Sequence, residues 1–172
     1  MENIEFNSTS FHQIDAKCRL FIPEGHRALL GEQFVMSLST DLKTMAFYPL
    51  SVWEKRSARL RRAPETDRIA HDFQWLIFGN TFPNLTVDSQ GRVLLPQAVR
   101  KNYGLVEGSE AVLVGAGTSL EVWSREKYDA RLASFTLDVN NNILDYMNRK
   151  YFSDYAEDTN SMNSEVEMNE QH

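Results

Sequence analysis

Two short segments of the sequence place an aspartate, a tight turn and an arginine in the same order. Residues 14–23 read Ile-Asp-Ala-Lys-Cys-Arg-Leu-Phe-Ile-Pro, and residues 87–96 read Val-Asp-Ser-Gln-Gly-Arg-Val-Leu-Leu-Pro. Asp stabilises tight turns by accepting hydrogen bonds from nearby backbone N–H groups, and Gly supplies the positive φ that many turns need. An arginine beside such a turn can donate to O6 and N7 of guanine, and a lysine can neutralise a phosphate. Such a turn can therefore contact a nucleic acid, although any tight hairpin can carry the pattern and an arginine after a turn is usually a solvated surface residue.

These segments belong to a longer internal repeat. The second segment follows the first by 73 residues, and the same separation relates Arg27 to Arg100 and Gly31 to Gly104. Two copies are too few for a solenoid, which needs about three or more. The repeat therefore predicts a duplicated module whose two copies form a pseudo-symmetric pair.

Each copy predicts the same elements around its turn, which gives an α+β fold. Strands flank the turn, and Pro23 and Pro96 end the second strand and suit the first turn of a helix. Ser51 and Ser124 are expected to cap later helices. Gly115 to Gly117 is predicted to be a hairpin turn rather than a phosphate-binding loop. The sequence predicts helices over 24–30, 97–103, 51–62, 64–78, 125–135 and 139–151, and strands over 34–39, 45–48, 111–114 and 119–123.

The charge of the chain is unevenly distributed. The net charge is −6, but residues 153–172 contain six acids and no Lys or Arg, which leaves 18 acids and 18 bases in residues 1–152. The body is therefore neutral and can still present a basic face. We expect the tail to be a solvated, disordered extension. The single cysteine, Cys18, excludes an intrachain disulfide and fits a reducing cytosol, and neither a signal peptide nor a membrane span is predicted.

The duplicated Asp-x-x-Gly-Arg with a following Pro resembles the MraZ family of bacterial DNA-binding transcriptional regulators, whose members carry Asp-x-Lys-Gly-Arg and then Pro twice. The resemblance covers residues 4–150. It implies two tandem AbrB-like swapped-hairpin β modules that form a pseudo-dimeric barrel with peripheral helices. The first module would span residues 1–80 with a helical extension, the second would span 81–152 with C-terminal helices, and 153–172 would be the acidic tail.

The same resemblance implies a function and partners. The family forms ring-shaped homo-oligomers that bind short direct repeats of double-stranded DNA upstream of the division and cell-wall gene cluster, including the family member's own gene. It implies a protein of the cytoplasm and nucleoid, with no cofactor, no small-molecule substrate and no membrane partner.

Carried over position by position, the DNA-binding residues are Lys17 and Arg19 in the first turn and Gln90 and Arg92 in the second. Gln90 replaces the family's usual Lys, so the second turn loses a charge and keeps a possible donor to adenine or phosphate. Cys18 replaces the family's Gly. A non-Gly residue at positive φ costs roughly 1 kcal/mol, so either the turn is rearranged or the strain is tolerated.

Other basic residues have a structural interpretation. Arg27 and Arg100 are expected to pair with Asp15 and Asp88 or with a neighbouring subunit. A second basic set is expected to be a solvated helix face, with subunit or extra phosphate contacts as the alternative; it comprises Lys55, Arg56, Arg59, Arg61, Arg62 and Arg68.

Other classes of function are less well supported by the sequence. A cysteine hydrolase would need Cys18 paired with His12 or His26, but Cys18 occupies a turn position and no oxyanion-hole signature is present. The same three residues lack a recognised metal-ligand spacing. We therefore expect no enzyme activity. A ring-forming structural scaffold and an AbrB-type antitoxin-like regulator remain as alternatives.

Overall fold

The computed structural model describes residues 4–64, 66–138 and 143–152. The predicted acidic tail, residues 153–172, lies outside these ranges, as do the first four residues of the helix predicted over 139–151. The chain divides into two compact units, one ending at Tyr128 and the other beginning at Asp129.

In the described part of the chain, both copies of the repeat contain the same elements in the same order, so the α+β class is confirmed. The first copy consists of β1 (Thr9–Gln13), β2 (Arg19–Phe21), α1 (Glu24–Leu30), β3 (Phe34–Leu38), β4 (Met45–Pro49), α2 (Leu50–Leu60) and α3 (Arg68–Gly79). The second copy consists of β5 (Phe82–Leu85), β6 (Arg92–Leu94), α4 (Gln97–Tyr103), β7 (Glu110–Gly115), β8 (Leu120–Ser124), α5 (Arg125–Asp138) and α6 (Ile143–Tyr151).

The two copies share their β-structure. Six strands form one antiparallel sheet in the order β1-β7-β8-β4-β3-β5. Each copy therefore places its first strand against the other copy, because β1 pairs with β7 and β5 pairs with β3. Among the described residues these pairs do not close the sheet into a barrel, so the swapped-hairpin barrel stays a prediction. The predicted module boundary after residue 80 falls between α3 and β5, and the modules themselves also stay a prediction.

The remaining strands, β2 and β6, form a separate two-stranded ribbon. Leu20 lies opposite Val93 at its centre, and Arg19 and Arg92 lie toward its two ends. Side chains alternate between the faces of a strand. Leu20 and Val93 are accordingly buried on the inner face, which leaves both arginines on the outer face. The hydrophobic core thus anchors the ribbon that carries the two predicted site arginines.

Proline and glycine determine the ends of the two short helices. Both α1 and α4 have the predicted bounds, because each follows an extended proline and ends at a glycine of positive φ, 81° at Gly31 and 70° at Gly104. These glycines adopt a backbone conformation that other residues rarely adopt. The bounds that the sequence predicts for these two helices therefore match those in the structure.

The two predicted serine caps have different outcomes. Ser124 precedes α5, and its Oγ accepts a hydrogen bond from the Lys127 backbone N–H at 3.4 Å, as a cap should. The prediction for Ser51 is wrong. Helix α2 begins one residue earlier, at Leu50, because the extended Pro49 occupies the capping position.

The central strands form the core of the sheet. Every side chain of β3 and β4 is buried. Phe34 and Phe47 pack edge to face there, with ring centroids 5.3 Å apart. Strands covered on both faces are expected to be continuously apolar, which matches Phe-Val-Met in β3 and Met-Ala-Phe in β4.

Candidate nucleic-acid interface

The two Asp turns have the same internal hydrogen bonds. Asp15 Oδ1 accepts from the backbone N–H groups of Lys17 and Arg19, each at 2.9 Å. Asp88 Oδ1 accepts from those of Gln90 and Arg92 at the same distance. The aspartate carboxylates therefore order both turns in the way that the sequence pattern predicts.

The third residue after each aspartate has a left-handed backbone. The φ angle is 58° at Cys18 and 76° at Gly91. In both turns this residue donates its N–H to the aspartate carbonyl at 2.9 Å. The turn is therefore not rearranged to suit the cysteine, and the first turn tolerates the strain of a side chain at positive φ.

Each site arginine pairs with the aspartates of both turns. Nε and Nη2 of Arg19 lie 2.8 Å from Asp15 Oδ2, and its Nη1 lies 3.2 Å from Asp88 Oδ2. Nε and Nη2 of Arg92 lie 3.1 and 3.0 Å from Asp88 Oδ2, and its Nη1 lies 3.4 Å from Asp15 Oδ2. We call these four side chains the Arg–Asp ring. It joins the two copies, and its formal charges balance.

The aspartates of the ring ionise more readily than an ordinary aspartate. The pKa of Asp15 is lowered from 3.8 to about 2, chiefly by the hydrogen bond from the Arg19 backbone N–H. Desolvation opposes this shift, and the Arg19 side chain and the Lys17 N–H add to it. The pKa of Asp88 is lowered for the same reasons, with the Arg92 N–H as the largest cause. Both carboxylates are therefore charged at neutral pH.

The structure brings Arg19 and Arg92 together and leaves Lys17 and Gln90 on the surface. The ring side chains are between 24% and 31% exposed, so the two arginines are accessible but already engaged. Lys17 and Gln90 are exposed, and their backbones are held by Asp15 and Asp88. The exposed lysine and glutamine therefore flank a ring of balanced charge.

The predicted pairing of Arg27 and Arg100 with the turn aspartates is wrong. Arg27 Nε donates to the Ile22 carbonyl at 3.0 Å, and Arg100 Nε donates to the Leu95 carbonyl at 2.7 Å. The aspartates are instead occupied by Arg19 and Arg92. The Arg27 guanidinium also lies against Gly91, where an added Cβ would be 2.9 Å from Arg27 Cζ.

The second basic set is only partly a solvated face. Arg56 is an exception, because its guanidinium lies 4.9 Å from the centroid of the Tyr48 ring and donates to the Tyr48 hydroxyl and the Ser39 carbonyl. The other members are exposed as predicted, namely Lys55, Arg59, Arg61, Arg62 and Arg68.

The histidines near Cys18 form other hydrogen bonds. His12 Nε2 lies 2.9 Å from Ser10 Oγ, and His26 Nε2 lies 3.0 Å from the Asn7 carbonyl. Neither pairs with the thiol through these nitrogens. Within the described residues no cluster of His, Cys, Asp or Glu could hold a metal ion, and no helix there has the length and apolar character to cross a bilayer.

Helix α3 exposes large apolar side chains. Ile69 is 80% exposed and Trp75 is 71% exposed, and Phe78 is also exposed. Ile77, on the same helix, is fully buried. The exposed part of α3 is unusual for a surface that contacts only water.

Comparison with known proteins gives one consistent family. The family model described as "MraZ protein, putative antitoxin-like" matches residues 6–75 and 77–143. The chain is 35% identical over 138 residues to a protein of Heliobacterium modesticaldum named transcriptional regulator MraZ, covering 78% of this chain and 94% of that protein. A protein of the same name from Acetivibrio thermocellus is 35% identical over 119 residues, covering 69% of this chain and 80% of the relative.

Proposed function

The chain belongs to the MraZ family, and from this premise we propose that it is a sequence-specific DNA-binding transcriptional regulator without catalytic activity. The names of its relatives support regulation of transcription. The observation that carries the proposal is the Arg–Asp ring, in which two turns from the two copies hold two arginines on the outer face of one short ribbon.

The ring leaves each arginine able to bind a base. A guanidinium has five N–H groups. The contacts of Arg19 and Arg92 with the aspartates use Nε and one N–H on each terminal nitrogen. One N–H then remains on each terminal nitrogen, which is the number that a bidentate contact with guanine O6 and N7 requires. We therefore assign Arg19 and Arg92 to base contacts, with Asp15 and Asp88 as positioning residues.

The two exposed positions beside the arginines have different roles in this proposal. The Lys17 ammonium neutralises a phosphate, which contributes affinity without sequence preference. Gln90 has no charge, and its amide can donate to a phosphate or pair with adenine. The two turns of one subunit are therefore chemically unequal, although their backbones are alike.

Affinity in this proposal depends on several subunits. One subunit has two turns and an Arg–Asp ring without net charge, so we expect a single subunit to bind DNA weakly. A ring-shaped homo-oligomer that engages successive direct repeats upstream of its own gene would bind each added repeat at a high effective concentration. The proposal includes the swapped-hairpin origin of the paired turns, as well as a location in the cytoplasm and at the nucleoid.

The exposed apolar surface of α3 favours one other candidate, a structural ring-forming scaffold. Such a scaffold would assemble without reading DNA, so a measurement of sequence-specific DNA binding distinguishes the two functions.

That measurement is the affinity of the full chain for the DNA upstream of its own gene and for a shuffled fragment of equal length. We expect the upstream fragment to bind at least about a thousandfold more tightly, as specific regulators do. Lys17→Ala should weaken binding to both fragments, because phosphate contact has no sequence preference. Gln90→Ala should weaken binding mainly to the upstream fragment, where its amide can pair with adenine. Equal affinity for both fragments would contradict sequence-specific regulation and leave the scaffold as the explanation.

A further inference from the structure

The Arg–Asp ring contributes no net charge toward DNA. Two arginines face two ionised aspartates, and of the four predicted site residues only Lys17 adds a cation. Most of the non-specific affinity of a protein for DNA comes from cations that replace condensed counterions on the phosphates. The turns alone therefore supply base recognition with little phosphate neutralisation, and further cations elsewhere on the surface are needed.

A cluster of such cations lies at the C-terminal part of α2 and just beyond it. Lys55 and Arg59 are one turn apart on the helix, and Arg61 and Arg62 follow its last residue. All four are exposed, and none of them forms an ion pair within the described ranges of the chain. Residues 55–62 contain no acid. We call these four residues the α2 basic cluster.

Two physical features set this cluster apart from an ordinary solvated face. Like charges four residues apart destabilise a helix, and Lys55 and Arg59 have this spacing on α2 without an acidic residue between them. Cations are favourable in the last turn of a helix because of the macrodipole, but Lys55 lies before the last turn. The free-energy cost of this repulsion is offset when an anion with several charges binds all four side chains.

We propose that the α2 basic cluster binds the phosphate backbone of DNA, as a second contact surface in addition to the one formed by the turns. This proposal rests on the proposed function. The ligand chemistry is a row of phosphodiesters, because both lysine and arginine bind phosphate oxygens without reading sequence. Arg56 lies between these residues in the sequence but takes no part, since Tyr48 and Ser39 hold its guanidinium.

The chain itself contains another anionic segment that could bind the α2 basic cluster. Residues 153–172 carry six acids and no Lys or Arg. These six charges are spread over 20 residues, whereas duplex DNA carries one charge about every 1.7 Å along its axis. The higher charge density favours DNA as the occupant, and the acidic segment becomes an outcome of the test.

The test compares the salt dependence of DNA binding by three full-length proteins. These are the wild type, the cluster variant Lys55→Gln/Arg59→Gln/Arg62→Gln, and the control variant Lys43→Gln/Lys101→Gln/Arg149→Gln, which removes as many exposed cations elsewhere. Affinities for the upstream fragment and for the shuffled fragment are measured from about 50 to 200 mM salt. Thermal melting and sedimentation check that folding and assembly are unchanged.

We expect the slope of log K against log salt to decrease in magnitude by up to about 0.9 for each phosphate interaction that the substitutions eliminate. The cluster variant should therefore lose about 2 to 3 units of slope, on both fragments alike, while the preference for the upstream fragment stays at its wild-type value. The control variant should change the slope by less than one such interaction.

Three results would overturn the inference. If the cluster variant has the same slope as the control variant, the wild type does not use these residues to bind phosphate. A change in assembled mass assigns the cluster to a subunit contact. Tighter DNA binding by the cluster variant, abolished when residues 153–172 are deleted, assigns it to the acidic segment. In each case the wild type still prefers the upstream fragment, whereas failure of the proposed function would show as loss of that preference in the wild type itself.

Discussion

Cys18 occupies a backbone position that favours glycine. Its φ of 58° is close to that of Gly91, 76°, in the equivalent turn. A side chain in the left-handed region costs roughly 1–2 kcal/mol. The strain is located in the turn that holds Lys17 and Arg19, so it affects the residues on which the proposed function depends.

Replacing this cysteine should stabilise the protein. For Cys18→Gly we expect a gain of up to about 1 kcal/mol, since the relief of strain is partly offset by the greater freedom of glycine in the unfolded chain. The melting temperature should rise by about 2–4 °C. The matched change Gly91→Ala should act in the opposite direction, because alanine there has positive φ and its Cβ meets the Arg27 guanidinium. A lower melting temperature for Cys18→Gly would show that the thiol stabilises the turn.

The aspartates of the Arg–Asp ring should make the stability of the folded protein depend on pH in the acidic range. Their pKa values are lowered in the folded state, to about 2 for Asp15. A lowered carboxylate pKa stabilises the folded protein above the unfolded pKa, about 3.9, and this contribution is lost as the pH falls through the folded pKa. In urea titrations, wild type should therefore be more stable than Asp15→Asn at neutral pH, and the difference should shrink between about pH 4 and pH 2. A difference that stays constant across this range would contradict the assignment.

At the residue scale, the sequence predicted the turns but not the pairing between them. The Asp–Arg spacing within each turn is local, so turn chemistry was readable from the sequence. The contacts Arg19–Asp88 and Arg92–Asp15 join residues 69 and 77 positions apart. Their existence depends on the register of β2 against β6, which local sequence does not specify.

At the scale of the elements, the helix ends were predictable where proline and glycine define them. This holds for α1 and α4. The start of α2 differs from the prediction because Pro49 and Ser51 both suit a helix start and Pro49 occupies the capping position. The inward direction of Arg56 was missed because arginine usually lies in solvent, whereas here the Tyr48 ring and hydroxyl are available nearby in space.

Two arginines of α2 should therefore differ in their effect on stability. Arg56→Ala removes a stacking interaction and leaves a buried hydroxyl and a carbonyl without this donor, so we expect a loss of about 1–3 kcal/mol. Arg59→Ala should change the free energy of unfolding by less than about 0.5 kcal/mol, as exposed substitutions usually do. Denaturant titration of the two variants measures both values, and equal effects would show that the Tyr48 interaction does not stabilise α2.

At the scale of the whole molecule, the two copies of the repeat are joined through shared strands. The sequence predicted a pseudo-symmetric pair, and the strand order β1-β7-β8-β4-β3-β5 reads the same in both directions when the copies are exchanged. The pairing of β1 and β5 with strands of the other copy was not predicted, because both strands are short and only partly buried and their local sequence does not specify a partner.

The exposed apolar face of α3 should contribute to assembly. We expect the wild type to sediment as a closed homo-oligomer rather than as a 19.8 kDa monomer. Trp75→Gln should shift the protein toward smaller species, because Trp75 is a large apolar side chain 71% exposed in the single chain. Val106→Gln, at another exposed apolar side chain, is the control. Unchanged mass for Trp75→Gln would exclude this part of α3 from the interface.

The central claim is that Arg19 and Arg92 read bases while the aspartates of the ring position them. The most direct measurement is the affinity ratio between the upstream and shuffled fragments for the variant Arg19→Lys/Arg92→Lys. Lysine keeps the charge but lacks the planar fork that pairs with guanine. Each subunit of the variant lacks two bidentate base interactions, worth about 1–3 kcal/mol each, so the ratio should fall at least about thirtyfold while the salt slope stays unchanged. An unaltered ratio in a folded, assembled variant would contradict the account.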